Sequence, residues 1–192
     1  MEKEKIKLWT VQPVEVLEII ERDGVYTGNS DKIAECWDGP NGSFMRSYNW
    51  LVSEMAKRGV TGKGYPVWAW YRRNGRFVAP TKKKLDKGDV MMELEIDADR
   101  VVLTDYDGWH YVLNNDYNGY PWDRKLTFEE FDAIYDAIDA LPADERKKTI
   151  LDSWQKIFNT KFWRRGESTN GVNVQATFFE LRKEDIVNII GR

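Results

Sequence analysis

The seven residues Tyr65-Pro66-Val67-Trp68-Ala69-Trp70-Tyr71 constrain the fold more than any other stretch of the chain. Aromatic and β-branched side chains alternating at period two suit a strand rather than a helix. Trp68 and Trp70 share one face, and Val67, Ala69 and Tyr71 share the other. Asn74-Gly75 follows, the pair that supplies positive φ at both centres of a type I′ turn, so a hairpin into Phe77–Val78 is expected. The chain must therefore build a sheet that carries two indole rings on one side. That side either packs against a helix or serves as a platform for a base or nicotinamide ring.

The other elements are short and of mixed type. Lys5 to Val11 reads as a strand. Pro13 then suits the first turn of a helix carrying Val14, Leu17 and Ile20, which Gly24 ends. Val25–Tyr26 is extended and 28–42 is a loop. Ser43 caps a helix whose stripe is Phe44, Tyr48, Leu51 and Met55, and Gly59 stops it. Asp89 to Ile96 alternates, with Met92, Leu94 and Ile96 on one face and Met91, Glu93 and Glu95 on the other. A turn at Asp97-Ala98-Asp99 leads to a strand over Arg100 to Thr104. Thr104 or Asp105 caps a short helix carrying Tyr106, Trp109, His110 and Leu113.

Residues 114–125 form a polar, aromatic loop. Thr127 and Glu130 then make a capping box with Leu126 and Phe131 as its staple, opening a helix that runs to Leu141. A further helix covers about Asp144 to Phe158, with Ile150, Trp154, Ile157 and Phe158 on one side. After a loop holding Arg164-Arg165-Gly166, Val172 to Leu181 is the last strand, and a short helix closes at Gly191. The order lacks a regular βαβ alternation. An α+β fold with a mainly antiparallel sheet flanked by helices is expected, as one domain over 1–192, with the first and last strands in the same sheet.

Composition sets further limits. Twenty-nine basic and 32 acidic residues leave a net charge of −3, which does not point to wholesale binding of nucleic acid or anionic membrane. Local basic clusters (Arg72, Arg73 and Arg76; Lys82 to Lys84; Arg164 and Arg165) read as solvated loop faces. The lone Cys36 allows no intrachain disulfide and fits a reducing compartment. No apolar run nears the roughly 18 residues of a membrane span, and no signal peptide is evident, so a cytoplasmic location without a membrane partner is expected. Phosphate-loop and Gly-x-Gly-x-x-Gly signatures are absent. With one Cys and one His, a zinc site built from those two residue types is nearly impossible, and no metal is expected.

Few residues stand out as chemistry. His110, in Asp105-Tyr106-Asp107-Gly108-Trp109-His110, is either a general base oriented by Asp107 at i−3 or a structural imidazole satisfied by a cap or carbonyl. Glu93 and Glu95 share a strand face and read either as a carboxylate pair or as solvated surface. Gln175 and Glu180 interrupt an apolar terminal run, and a buried Gln needs a partner, in the protein or in a ligand.

Leu8-Trp9-Thr10-Val11-Gln12, the Tyr65–Trp70 run, Asp105 to Asn114 and Gln175-Ala176-Thr177-Phe178-Phe179-Glu180-Leu181 together resemble a family of small bacterial proteins known only as a domain of unknown function. A weaker similarity is to ADP-ribosyltransferases, especially the DarT-like toxins that modify DNA. That resemblance implies NAD as substrate, held in a cleft between two half-sheets. It places Trp9, Thr10 and Gln12 on one wall, Tyr65, Trp68 and Trp70 at the ring pocket, and Gln175 at the ribose. Glu180 and His110 would be the catalytic groups. Thr10 stands where those enzymes carry a His, and their late Glu falls on Thr177 unless the register shifts to Glu180. The alternative is a non-catalytic module for a protein or nucleic-acid partner, its tryptophans serving as core and interface anchors. Convergence of Gln12, His110, Gln175 and Glu180 on one cleft favours the ligand; dispersal favours the module.

Overall fold

Strand β1 (Lys5–Pro13) organises the architecture, in a computed structural model that describes residues 3–29, 43–121, 126–161 and 171–191. Pro13 ends β1 and caps α1 (Val14–Asp23), which Gly24 closes in the left-handed region at φ 81°. β2 (Val25–Thr27), α2 (Ser43–Lys57), β3 (Val67–Arg72), β4 (Asp89–Asp97) and β5 (Val102–Asp105) follow. Then come α3 (Tyr106–Leu113), α4 (Phe128–Asp139), α5 (Ala143–Ser153), β6 (Val174–Phe178), β7 (Glu180–Arg182) and β8 (Ile186–Ile190). The α+β class is as the sequence implied. No helix among the described residues is long and apolar enough to cross a membrane. The 28–42 loop, Cys36, the end of the 114–125 loop and the Arg164–Arg165 pair lie wholly or partly outside the described residues.

Six strands pair antiparallel in the order β5-β6-β3-β1-β4-β8, while β2 and β7 form a separate ribbon. A flat sheet would place β4 and β5 about 19 Å apart, four strand spacings. Only residues 98–101 join them, three of those in a 3₁₀ turn, and such a link spans well under that distance. The sheet must curl. Leu8, Val67, Ala69, Met92, Leu94, Ile96, Ala176 and Phe178 line one face and pack on Val16, Leu17 and Ile20 of α1.

Between β1 and β3 the ladder opens. These strands share a single paired position, Trp9 with Trp70, whereas β1 and β4 pair over nine residues. At the opening the Thr10 hydroxyl donates to the Trp68 carbonyl at 2.9 Å, and the Gln12 amide donates to the same hydroxyl at 2.9 Å. A buried side chain thus replaces a missing backbone bond. Thr10→Val keeps the shape and leaves both partners unsatisfied, and should lower stability by about 1–3 kcal/mol in urea denaturation. An unchanged midpoint would mean that this junction carries no strain on opening.

Four sequence expectations are corrected. The run 172–181 is not one strand: β6 ends at Phe178, the backbone bends at Phe179, and Glu180–Arg182 leaves the large sheet to pair with β2. The closing segment is a strand, because Ile186-Val187-Asn188-Ile189-Ile190 is β-branched and β4 offers a free edge. Phe77–Val78 forms no strand. The Asn74-Gly75 turn exists, with φ of 51° and 72°, but β3 already has β1 and β6 on its two edges, and pairing stops at one Arg73–Arg76 bridge. The last long helix ends at Ser153, and Trp154–Phe158 tightens into a 3₁₀ turn.

A second core gathers Leu51 and Met55 of α2, Trp109 and Val112 of α3, Trp154, Ile157 and Phe179. It covers only the β3–β6–β5 half of the sheet's other face.

Candidate functional site

Cross-strand register sets the aromatic row. Thr104, Gln175, Trp70, Trp9 and Glu93 lie directly opposite one another on successive strands, so all five project from the face opposite α1. Trp68, two residues before Trp70, shares that face but meets Trp109 at 5.2 Å and Tyr48 at 6.2 Å. The second core covers it. Trp70 lies past the edge of that core and stays half-buried, with Trp9 stacked beside it at 5.9 Å.

Over Trp9, Val11 and Trp70 lies a cleft of about 900 Å³, roofed by the segment from Arg73 to Lys84. That volume is within the range of small-molecule and cofactor sites. Among the described residues its charged lining is Arg73, Arg76 and Lys84, with no carboxylate in the walls. None of the three forms an ion pair among the described residues. The Arg73 guanidinium sits 5.3 Å above the Trp70 ring, within cation–π range.

The turn that carries these cations is held from outside. Asn74 N–H donates to the Asn173 side chain at 3.0 Å and Gly75 N–H to the Val172 carbonyl at 2.8 Å. Arg73 and Arg76 exchange backbone bonds at 2.7 and 3.1 Å across it. The register thus sets two like-charged residues opposite each other on a pinned turn, a pairing that disfavours the bare arrangement and suits an anion.

Gln175 and His110 flank this cleft without lining it. Gln175 stands opposite Trp70 on β6, half-buried, and its amide makes no hydrogen bond within the described residues. Tyr106 packs on Trp70 at 5.0 Å, and His110 packs edge-on against Tyr106 at 4.6 Å. His110 is exposed, with Nδ1 against the Tyr106 carbonyl at 2.9 Å. Asp107 does not orient it, since that carboxylate accepts from the Asn173 amide at 3.2 Å. Asp105 fixes the helix that presents both rings, accepting from the backbone N–H groups of Gly108 and Gly171 at 2.7 Å each. Burial pushes its carboxyl above the usual range despite those two bonds.

The remaining candidates are elsewhere. Thr10 and Gln12 project from the α1 face of β1. Gln12 and Trp68 border the opening between the half-sheets, where the described residues enclose about 170 Å³. Tyr65 donates to the Asn49 side chain at 2.7 Å. Glu180 is on β7, in another cleft with Asp97, Asp99 and Arg100, and its carboxylate binds Arg182 at 2.6 Å. Gln12, His110, Gln175 and Glu180 are thus dispersed. Glu95 lies 3.7 Å from Lys7, and among the described residues no three His, Cys, Asp or Glu side chains gather as metal ligands.

Arg73, Arg76 and Lys84 were not singled out as site residues from the sequence. The available signal was two basic clusters placed directly after the double-Trp strand.

A family model described as "Domain of unknown function (DUF3841)" matches residues 7–187. Neither curated proteins nor solved structures give a match.

Proposed function

The chain belongs to the DUF3841 family, whose description carries no activity, and we propose from the geometry above that it is a single-domain nucleotide-binding protein. NAD or a related nucleotide is the ligand class. The observation that carries this reading is the cleft over Trp9 and Trp70, which combines a half-exposed indole with three cations that have no ion-pair partner, and no carboxylate in the walls, among the described residues. A planar ring stacks on Trp70, and phosphate oxygens meet Arg73, Arg76 and Lys84. The Gln175 amide, beside Trp70 and without a hydrogen bond among the described residues, is positioned for ribose or ring polar atoms that reach past the indole.

Of the two residues read as catalytic, only His110 stands beside this aromatic wall. Glu180 therefore has no place in chemistry at this cleft, and His110 meets its wall only through the Tyr106 ring. Calorimetric titration with NAD, ADP-ribose and AMP, beside a nicotinamide-release assay, tests the reading. Trp70→Ala should weaken binding about tenfold or more, the scale of one lost base–aromatic stack, while Glu180→Gln should leave affinity unchanged. A folded wild type that binds none of the three ligands would remove the nucleotide reading.

Two observations favour a docking module instead: the dispersal of Gln12, His110, Gln175 and Glu180, and the surface of α4. Phe128 and Tyr135 on α4 are 86 % and 49 % exposed, on a helix with no buried residue. Its Glu129, Glu130, Asp132, Asp136 and Asp139 carboxylates suit a basic protein surface and repel nucleic acid.

A further inference from the structure

Resting on the nucleotide reading, we infer that Arg73 gates the Trp70 ring, so that the cleft favours a planar base that carries a phosphate over the same base without one.

The ligand-free arrangement contains the conflict that makes a gate. The guanidinium lies over Trp70 at 5.3 Å from the ring centroid. A stacked base occupies the first roughly 3.5 Å above an indole, and a group beyond it must stand about 7 Å away. Arg73 and a base therefore cannot both keep those positions. Arg73 has to leave the ring before the base settles, and the move gives up its cation–π contact.

A phosphate gives the guanidinium somewhere to go. Arg76 is directly opposite Arg73 across the Asn74-Gly75 turn, and Lys84 lines the same wall. An anion between the two arginines relieves their mutual repulsion and draws Arg73 sideways from the indole. Val172 and Asn173 hold the turn backbone, so the swing is confined to the Arg73 side chain. A nucleotide replaces the lost ring contact with charge-assisted hydrogen bonds, and a nucleoside does not. The cleft thereby discriminates through a residue whose resting position opposes the wrong ligand.

The test compares AMP with adenosine by calorimetry on wild type, Arg73→Ala and Arg76→Ala. Arg73 and Arg76 are exposed, so both variants should fold, which circular dichroism checks. Arg73→Ala should weaken AMP about tenfold or more while tightening adenosine about two- to fivefold, the scale of an exposed cation–π contact. Arg76→Ala should weaken AMP and leave adenosine unchanged. If Arg73→Ala weakens both ligands equally, Arg73 is a clamp sandwiching the base, and the gate is overturned while the nucleotide reading stands. If wild type binds neither compound, the gate falls with the reading beneath it.

Discussion

Trp154→Ala will destabilise the protein by about 3–5 kcal/mol, the range for emptying a large buried aromatic site. Trp154 has no exposed surface and sits in the second core, edge-on against Trp50 at 5.2 Å. Its indole N–H donates to the Asp116 carbonyl at 2.8 Å, and Asp116 N–H in turn donates to the Tyr111 carbonyl at 2.8 Å. The substitution removes the ring, leaves a cavity and orphans a carbonyl that anchors the loop after α3. With a urea slope of about 2 kcal/mol per molar, the midpoint should fall by about 1.5–2.5 M. Trp154→Phe separates the contributions, since it refills most of the space and lacks the donor. It should cost about 1–2 kcal/mol. An alanine variant with an unmoved midpoint would show that this core does not depend on the indole.

Arg100→Met should cost a similar amount, about 3–5 kcal/mol, by a different route. Arg100 lies in the tight link between β4 and β5, and its guanidinium meets both oxygens of Asp185 at 2.6 and 2.9 Å. The same side chain donates to the Glu180 carbonyl at 2.9 Å. Asp185 is 3 % exposed and keeps one further partner, the Arg182 N–H at 2.9 Å. Removing the arginine leaves a carboxylate inside the protein with its charge uncompensated. Replacing both partners removes that penalty, so Arg100→Met/Asp185→Leu should be more stable than Arg100→Met alone. A double variant as unstable as the sum of the two singles would show no coupling between them, and the pair would not be what joins this corner.

The capping box at Thr127 and Glu130 forms as the four-residue motif requires, with bonds of 3.2 and 3.0 Å. Asp105 caps α3, Gly24 closes α1, and Asn74-Gly75 adopts positive φ at both positions. Each is decided within a few residues, where side-chain size and hydrogen-bonding groups act directly on the local backbone. The period-two run at Val67–Arg72 and the alternation of β4 are legible for the same reason.

Partner choice was not legible, because it depends on which strand edges other segments have already taken. Phe77–Val78 follows an ideal hairpin turn yet forms no strand, and Val78 instead lines the cleft over Trp9 and Trp70. Ile186–Ile190 becomes a strand because β4 has an edge left over. Gln175 and Glu180 are five residues apart in sequence and end in different sheets, separated by two phenylalanines that belong to two cores.

The candidate site divides along the same line. The sequence by itself determined that Trp68 and Trp70 share a face, because a strand's side chains alternate. Only the tertiary structure decided that α2 and α3 cover Trp68 while Trp70 is left to a cleft, and that Arg73, Arg76 and Lys84 close over it. Those outcomes follow from where the second core ends and how a pinned turn folds back, both contacts between segments far apart in the chain.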